Sequence, residues 1–484
     1  MFRKTFFLMT ALLSSVLLLQ GCSTNAATGR SQFTALMPAA QENQIGASEH
    51  EKIVAQFGLY EDPALNAYIR EIGKRVTAKT ERSDVQYRFY ILDTPMVNAF
   101  ALPGGYLYLS RGLIGLANNE AQAAAVLAHE AAHVTARHSA ERYSRSVVTS
   151  LGAGVIGAVL GSQQASQALG VGTNLYLSSY SRHQEDEADS LGLRYMTQGG
   201  YDPQEMAAFL SSLQADTGLN ARIEGRESSS GINYFSTHPA TGDRVRKTIN
   251  EARSFPDSNV KNREAYLRKI NGLLYGDSPK QGFTRGQTFY HPDLGFKMTA
   301  PKGFRFVNQP SQVVVTNNNG ALAVFDMAKR LKGQSAASYI TQNWLKDKSG
   351  LNVERVTVNG MNAATTSFSG NVNNKPVKLR VIAIEFESGR FARFQVAIPS
   401  GAASRTVNDL KSITYSFARL SASERNKIKP LRIRTVAAKS GDTIQSMARR
   451  MAYESYQEDR FRVLNGLLPS QALVVGRLYK IVTE

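Results

Sequence analysis

His129-Glu130-Ala131-Ala132-His133 puts two imidazoles and a carboxylate where they can serve one metal ion. Residues four apart share a helix face, so both histidines reach the same ion while Glu130 sits beside it, facing a bound water. Zinc takes such nitrogen ligands, and a hydrolytic zinc keeps one position open for a water that a nearby carboxylate activates as base. It also needs a third protein ligand. Ser181-Arg182-His183-Gln184-Glu185-Asp186-Glu187-Ala188-Asp189 offers candidates, with Glu185 and Asp189 again four apart. One carboxylate can ligate, and the other can orient a ligand histidine through its second ring nitrogen. Taken alone, the segment reads better as a solvated acidic helix face.

These groups must ride on helices. Residues 120–142 are alanine-rich and predict one long helix carrying the first motif, and residues 173–197 predict a second, ending before Gly199-Gly200-Tyr201-Asp202-Pro203. Residues 63–79 repeat apolar side chains at helical spacing, and residues 203–215 predict a further helix. Residues 86–92 alternate as a strand, and 98–110 are extended around Pro103-Gly104-Gly105. The apolar run 147–161 is short and broken by glycine, which argues against a membrane span and for a buried helix or a lid over the site.

Four features resemble metallopeptidase family 48, the HtpX/BepA-like gluzincins, in order: Asn98-Ala99-Phe100-Ala101-Leu102-Pro103-Gly104-Gly105, residues 129–138, the Ser-Arg-x-x-Glu-x-x-Ala-Asp segment, and Ser236-Thr237-His238-Pro239. The resemblance covers roughly residues 45–270 and implies one Zn2+ held by His129, His133 and Glu185, with Glu130 as catalytic base and Asp189 supporting a ligand. Asn98, Ala99, Phe100, Ala101, Gly104 and Gly105 would border the cleft as an edge strand that pairs with extended substrate. His238 would approach the metal, either closing its open position or stabilising the oxyanion, and Arg244 would anchor that loop. Glu187 reads as a neighbour of the wrong phase. Arg137 and His138 read as structural, because a continuous helix turns His138 away from the metal.

The N-terminus has a basic start, Arg3-Lys4, then an apolar run ending Leu19-Gln20-Gly21-Cys22, which resembles a lipoprotein signal with Cys22 as the lipidated residue. Cys22 is the only cysteine, so no intramolecular disulfide forms. Ser23 after it resembles an outer-membrane sorting signal, giving an expected location on the periplasmic face of the outer membrane. The formal charge is +18, and residues 285–484 hold 30 Lys and Arg against 13 Asp and Glu. That field favours anionic lipid, peptidoglycan or another envelope polymer, and export excludes nucleic acid; a solubilising face is the plain alternative.

The expected organisation is multidomain α+β. Residues 1–21 are the signal peptide, 22–44 a polar tether, 45–276 a mainly helical zincin catalytic domain with a small sheet, and 277–288 a linker. Residues 289–418 are a basic α+β domain, sandwich-like with a faint resemblance to PsbP, and 433–484 resemble a LysM βααβ module through Ser440-Gly441-Asp442-Thr443 and Leu464-Asn465-Gly466. The function expected is a membrane-anchored zinc metalloendopeptidase acting on misfolded or stalled envelope proteins. The alternatives are a latent or inactive adaptor or chaperone and, from the tail, a cell-wall hydrolase.

Overall fold

The computed structural model describes residues 22–159, 178–225, 233–239, 242–256, 258, 260–309, 311–372, 375–387 and 389–484. The signal-peptide reading of 1–21, residues 160–161 of the apolar run and residues 173–177 of the expected second helix lie outside them. The chain divides into two compact units, residues 1–275 with 431–484 and residues 276–430.

The first unit opens with strands β1 (Cys22–Thr24) and β2 (Ser31–Phe33), an antiparallel hairpin where a tether was expected. Asn25, Gln32, Thr34 and Met37 are buried, and polar side chains that suggested a tether instead bond to Glu187 and Arg137. Helices α1 (Ala39–Phe57) and α2 (Pro63–Thr77) follow, the latter capped by Asp62, whose side chain accepts from Leu65 N. Strands β3 (Arg88–Leu92), β4 (Ala99–Leu102) and β5 (Tyr106–Ser110) form a sheet in the order β3-β5-β4, with β3 parallel and β4 antiparallel to β5. Side chains alternate across it. Phe100, Leu102, Tyr106 and Tyr108 pack with Ile53 and Phe57 of α1, while Ala99, Ala101, Leu107 and Leu109 join the main helical core.

Helix α3 (Arg111–Leu116) leads to α4 (Glu120–Thr135), which is buried along its whole length. The expected single helix over 120–142 breaks: Arg137 has φ 56°, and α5 (His138–Val159) starts afresh. A left-handed turn strains a residue with a side chain by about 1–2 kcal/mol. Here the Arg137 guanidinium offsets it by donating to Glu42 Oε1 at 2.7 Å, Thr34 Oγ1 at 3.1 Å and the Met37 carbonyl at 2.6 Å. Within α5, Val148 is exposed. No helix among the described residues is long and apolar enough to cross a membrane.

Helix α6 (Arg182–Gln198) begins later than the expected residue 173, because Ser181 caps it in a reciprocal pair with Gln184. Helices α7 (Gln204–Glu224), α8 (Tyr234–Thr237), α9 (Gly242–Ala252) and α10 (Arg263–Lys269) complete the helical shell. The C-terminal segment belongs to this unit rather than standing apart. It runs β6 (Arg432–Ala437), α11 (Ile444–Ala448), α12 (Gln457–Leu464) and β7 (Leu478–Thr483), with β6 and β7 paired antiparallel. Residues 431–433 exchange backbone hydrogen bonds with 272–275, and Ile433 lies in the main core. Lys480, fully buried, donates through Nζ to the carbonyls of Gly115, Leu116 and Ala117 at 2.8–2.9 Å, where α3 ends with unpaired acceptors. Burial lowers the Lys480 pKa well below its usual value.

The second unit, 276–430, has an antiparallel seven-stranded sheet facing a four-stranded one. Phe289, Phe296 and Met298 of the small sheet meet Phe325, Ile382 and Phe394 of the large one, with Leu410 and Ile413 from a helix at Ser404–Tyr415. The expected linker 277–288 is part of this fold: Phe283–Arg285 is a strand, Phe283 is buried, and Gly286 at φ 55° makes the turn to the next strand. Its glycines signalled a hairpin, not a flexible joint.

Candidate metal centre

Four side chains converge in the first unit. His129 and His133 come from α4, Glu185 from α6 and His238 from the end of α8, and all are at most 2% exposed. Two helices can bring ligands this close only where their backbones nearly touch. At Gly192 of α6 a Cβ would lie 3.2 Å from His129 Cα, and the alanines of α4 leave the same room on its side. No periodicity in the sequence points to Gly192.

The ligand atoms are spaced as a tetrahedral ion requires. Metal–ligand bonds of about 2.0–2.1 Å at tetrahedral angles put neighbouring ligand atoms about 3.3 Å apart. His129 Nε2 and His133 Nε2 are 3.0 Å apart, and Glu185 Oε1 is 3.5 Å from His133 Nε2. Glu185 Oε2 is 3.6 Å from His129 Nε2. The fourth corner holds His238 Nδ1, 3.2 Å from His129 Nε2 and 3.0 Å from Glu185 Oε1.

Tautomers sharpen the case. His129 Nδ1 is 2.9 Å from Asp189 Oδ1, an acceptor, so its proton sits there and Nε2 carries a lone pair inward. His133 Nδ1 is 2.8 Å from His138 Nδ1, and His138 Nε2 is 3.0 Å from Glu187 Oε2. The carboxylate takes the His138 Nε2 proton, which leaves His138 Nδ1 to accept from His133. Burial holds both imidazoles below their usual pKa and hence neutral. Two inward lone pairs at 3.0 Å repel unless a cation lies between them, so the donor set fits zinc.

Glu130 is fully buried beside the cluster, and neither carboxylate oxygen accepts a hydrogen bond; Oε1 is 3.3 Å from His238 Nε2. Burial raises its pKa, against the pull of His238 and His129, as suits a group that takes and returns a proton. Asp189 is held by a two-pronged pair with Arg244 at 2.6 and 2.8 Å, and Arg244 Nη1 also lies 2.5 Å from Glu185 Oε2. The same guanidinium donates to the His238 carbonyl at 3.3 Å. Tyr180 stacks on His133 with ring centres 3.8 Å apart, and Tyr234 on His238 at 4.6 Å.

The structure thus brings together His129, Glu130, His133, Glu185, Asp189, His238 and Arg244. It corrects the reading of His138 and Glu187. The break at Arg137 swings His138 back onto His133, and Glu187 serves His138 rather than the metal. The expected cleft strand divides. Asn98 adjoins the His238 loop, its Oδ1 accepting from Thr237 Oγ1 at 3.2 Å, and Tyr234 N donates to the Val97 carbonyl. Ala99, Phe100 and Ala101 follow in β4, at the sheet edge but at most 2% exposed. Gly104 and Gly105 make a turn, at φ 75° and 86°, that is pressed against Asn43 and Val85, where a Cβ would lie 2.6 and 2.5 Å away.

Comparison with known proteins agrees with this geometry. Residues 63–252 match the model of Peptidase family M48, and the matched stretch contains His129, Glu130, His133, Glu185, Asp189, His238 and Arg244. The chain is 32% identical over 252 residues to the beta-barrel assembly-enhancing protease of Escherichia coli, covering 50% of each chain. It is 29% identical over 211 residues to the mitochondrial metalloendopeptidase OMA1 of Schizosaccharomyces pombe, covering 43% of this chain and 59% of that one. The chain thus spans about half the length of the curated relatives it matches. A cyanobacterial PsbP from Synechocystis overlays 28% of this chain and 98% of that one at 12% identity with a TM-score of 0.24, too low to argue from.

Proposed function

We propose, from the premise that residues 63–252 are a family M48 zinc metallopeptidase domain, that the chain is a zinc metalloendopeptidase of envelope protein quality control, kept closed by His238 until a substrate displaces it. The observation that carries this reading is the convergence of His129 Nε2, His133 Nε2 and Glu185 at tetrahedral spacing beside an unpaired Glu130. When bound, zinc supplies Lewis-acid polarisation of the scissile carbonyl and lowers the pKa of the attacking water. Glu130 takes that water's proton and hands it to the leaving amine. His238, once swung out of the fourth position, turns its Nε2 toward the carbonyl oxygen and donates to the oxyanion.

One loop, residues 233–239, covers both the metal pocket and the start of β4. Its withdrawal would free the edge backbone of Asn98, Ala99, Phe100 and Ala101 for an extended chain, a mode of pairing with little sequence preference. Misfolded or stalled envelope proteins offer such chains, and one relative is by name a protease that enhances β-barrel assembly. Lipidation at Cys22 would hold the enzyme on the periplasmic face of the outer membrane, with the basic unit and the LysM-like tail toward anionic envelope polymer.

Glu130→Gln should keep zinc by elemental analysis and lose hydrolysis, trapping substrate; normal turnover by that variant sinks the assignment. The adaptor reading is favoured by the full burial of the site. It predicts that wild type leaves unfolded envelope protein uncut, whereas a latch that also serves the oxyanion predicts turnover by wild type, with His238→Ala losing zinc to a chelator faster and turning over more slowly.

A further inference from the structure

The hairpin at the start of the described chain reaches the metal centre through an unbroken line of polar contacts. Glu187 Oε1 accepts from Asn25 Nδ2 at 2.8 Å and from Thr28 Oγ1 at 2.6 Å. Its Oε2 meets Arg30, with Nη2 at 3.2 Å, and the same oxygen receives His138 Nε2 at 3.0 Å. His138 in turn holds the Nδ1 proton of His133. Every donor to Glu187 from the hairpin belongs to its turn, residues 25–30. Internal bonds hold that turn in shape: the Asn25 side chain accepts from Ala27 N at 2.9 Å, and Asn25 N donates to the Arg30 carbonyl at 2.8 Å. Arg30 also forks onto Glu141 of α5, at 3.3 and 3.0 Å, which ties the turn to the helix that presents His138.

We propose that the turn at residues 25–30 is a positioning element of the zinc site. By saturating one oxygen of Glu187 and aiming the other at His138 Nε2, it selects the His138 tautomer that accepts from His133, and so keeps His133 Nε2 unprotonated and directed at the metal. Ligand histidines depend on such outer partners for ring orientation and basicity, and loss of one weakens metal binding about 10–100-fold. Here the outermost partner is supplied by a segment more than 100 residues away in sequence, a few residues after Cys22. Whatever pulls on or holds that end of the chain therefore acts on a metal ligand. The proposal rests on the zinc reading above.

The test is zinc affinity of the full chain, by competition with a chromophoric chelator, together with the visible spectrum of the Co2+-loaded protein. Glu187→Gln should weaken zinc about 10–100-fold and shift the cobalt bands. The Asn25→Ala/Thr28→Val pair should weaken it several-fold, Thr28→Ser should restore wild-type affinity, and melting temperature controls for folding. Ser23→Ala provides the structural control. It removes a contact within the same hairpin, Ser23 Oγ to Thr34 Oγ1 at 2.7 Å, that does not touch Glu187. Zinc affinity unchanged in the Asn25/Thr28 pair overturns the proposal, whatever Glu187→Gln does, as does an equal loss in Ser23→Ala. A wild-type chain that binds no zinc overturns the metallopeptidase reading as well, so the two failures are distinguishable.

Discussion

The two histidines proposed as zinc ligands sit one helical turn apart on α4, yet they are held in different ways. His129 leans on Asp189, four residues after Glu185 on the same helix, and Asp189 is clamped by Arg244 in a buried ion pair. His133 leans on His138 and Glu187, and the last of these is gripped by a hairpin that includes Thr28. The first support is short, charged and built by helical spacing. The second is longer, passes through a neutral imidazole, and exists only because the chain turns left-handed at Arg137. A direct carboxylate fixes a ring with one contact; a relay makes the same ring depend on distant chain.

The contrast has measurable consequences. His129→Ala and His133→Ala should both lose metal by elemental analysis, and retention of zinc by either would remove that histidine from the ligand set. Arg244→Met strips the counter-charge from Asp189 and Glu185, which are 4% and 1% exposed. Leaving such charges unpaired costs about 3–5 kcal/mol, readable in denaturant unfolding of the metal-free protein, and a loss below about 1 kcal/mol would mean the clamp is not structural. On the relay side, His138→Gln should leave unfolding nearly unchanged and weaken zinc about 10–100-fold. Equal stability losses in Arg244→Met and His138→Gln would erase the distinction.

Gly192→Ala tests the close approach that lets α6 deliver Asp189. Its Cβ would stand 2.9 Å from Met206 Cε, which can move, and 3.2 Å from the His129 backbone, which must give by tenths of an ångström. The expected loss is about 1 kcal/mol in thermal or denaturant unfolding, at the lower end for overpacked cores. Acid stability probes the relay separately. Burial pushes the Glu187 carboxyl up, and the bonds from His138 and Thr28 with the Arg30 charge pull it further down, to about 2. Its folded value lies below the unfolded one, so its contribution is full above about pH 4.5 and is lost as pH falls toward about 2. Wild type and Glu187→Gln, both metal-free, should therefore differ in stability at neutral pH and converge near pH 2; a gap that persists there assigns it to packing instead.

Much of the site was legible because its members lie on two helices at spacing four, which maps directly onto shared faces. His129, Glu130 and His133 needed nothing more; Glu185 and Asp189 were offered by the same spacing but, like His238, received their roles through family resemblance. The rest depended on long-range contacts. Polar residues at 22–44 read as a tether because Asn25, Thr28 and Arg30 find their acceptors only when Glu187 is brought to them. Residues 277–288 read as a linker because glycine and proline mark hairpins and joints alike. The capping pair Ser181 and Gln184 was the available signal for the start of α6 at Arg182, three residues before Glu185.

The sequence by itself determined the candidate chemistry: candidate metal ligands, a candidate base, and helices able to present them on one side, since local periodicity depends on nothing distant. The tertiary structure alone decided the support and the access. It turned His138 inward at a left-handed residue, enlisted the N-terminal hairpin, seated the tail on α3 through Lys480, and placed His238 in the fourth position. Such arrangements arise from buried polar groups satisfying one another across large sequence separations, and the constraint that each must find a partner acts only once the core has closed around them.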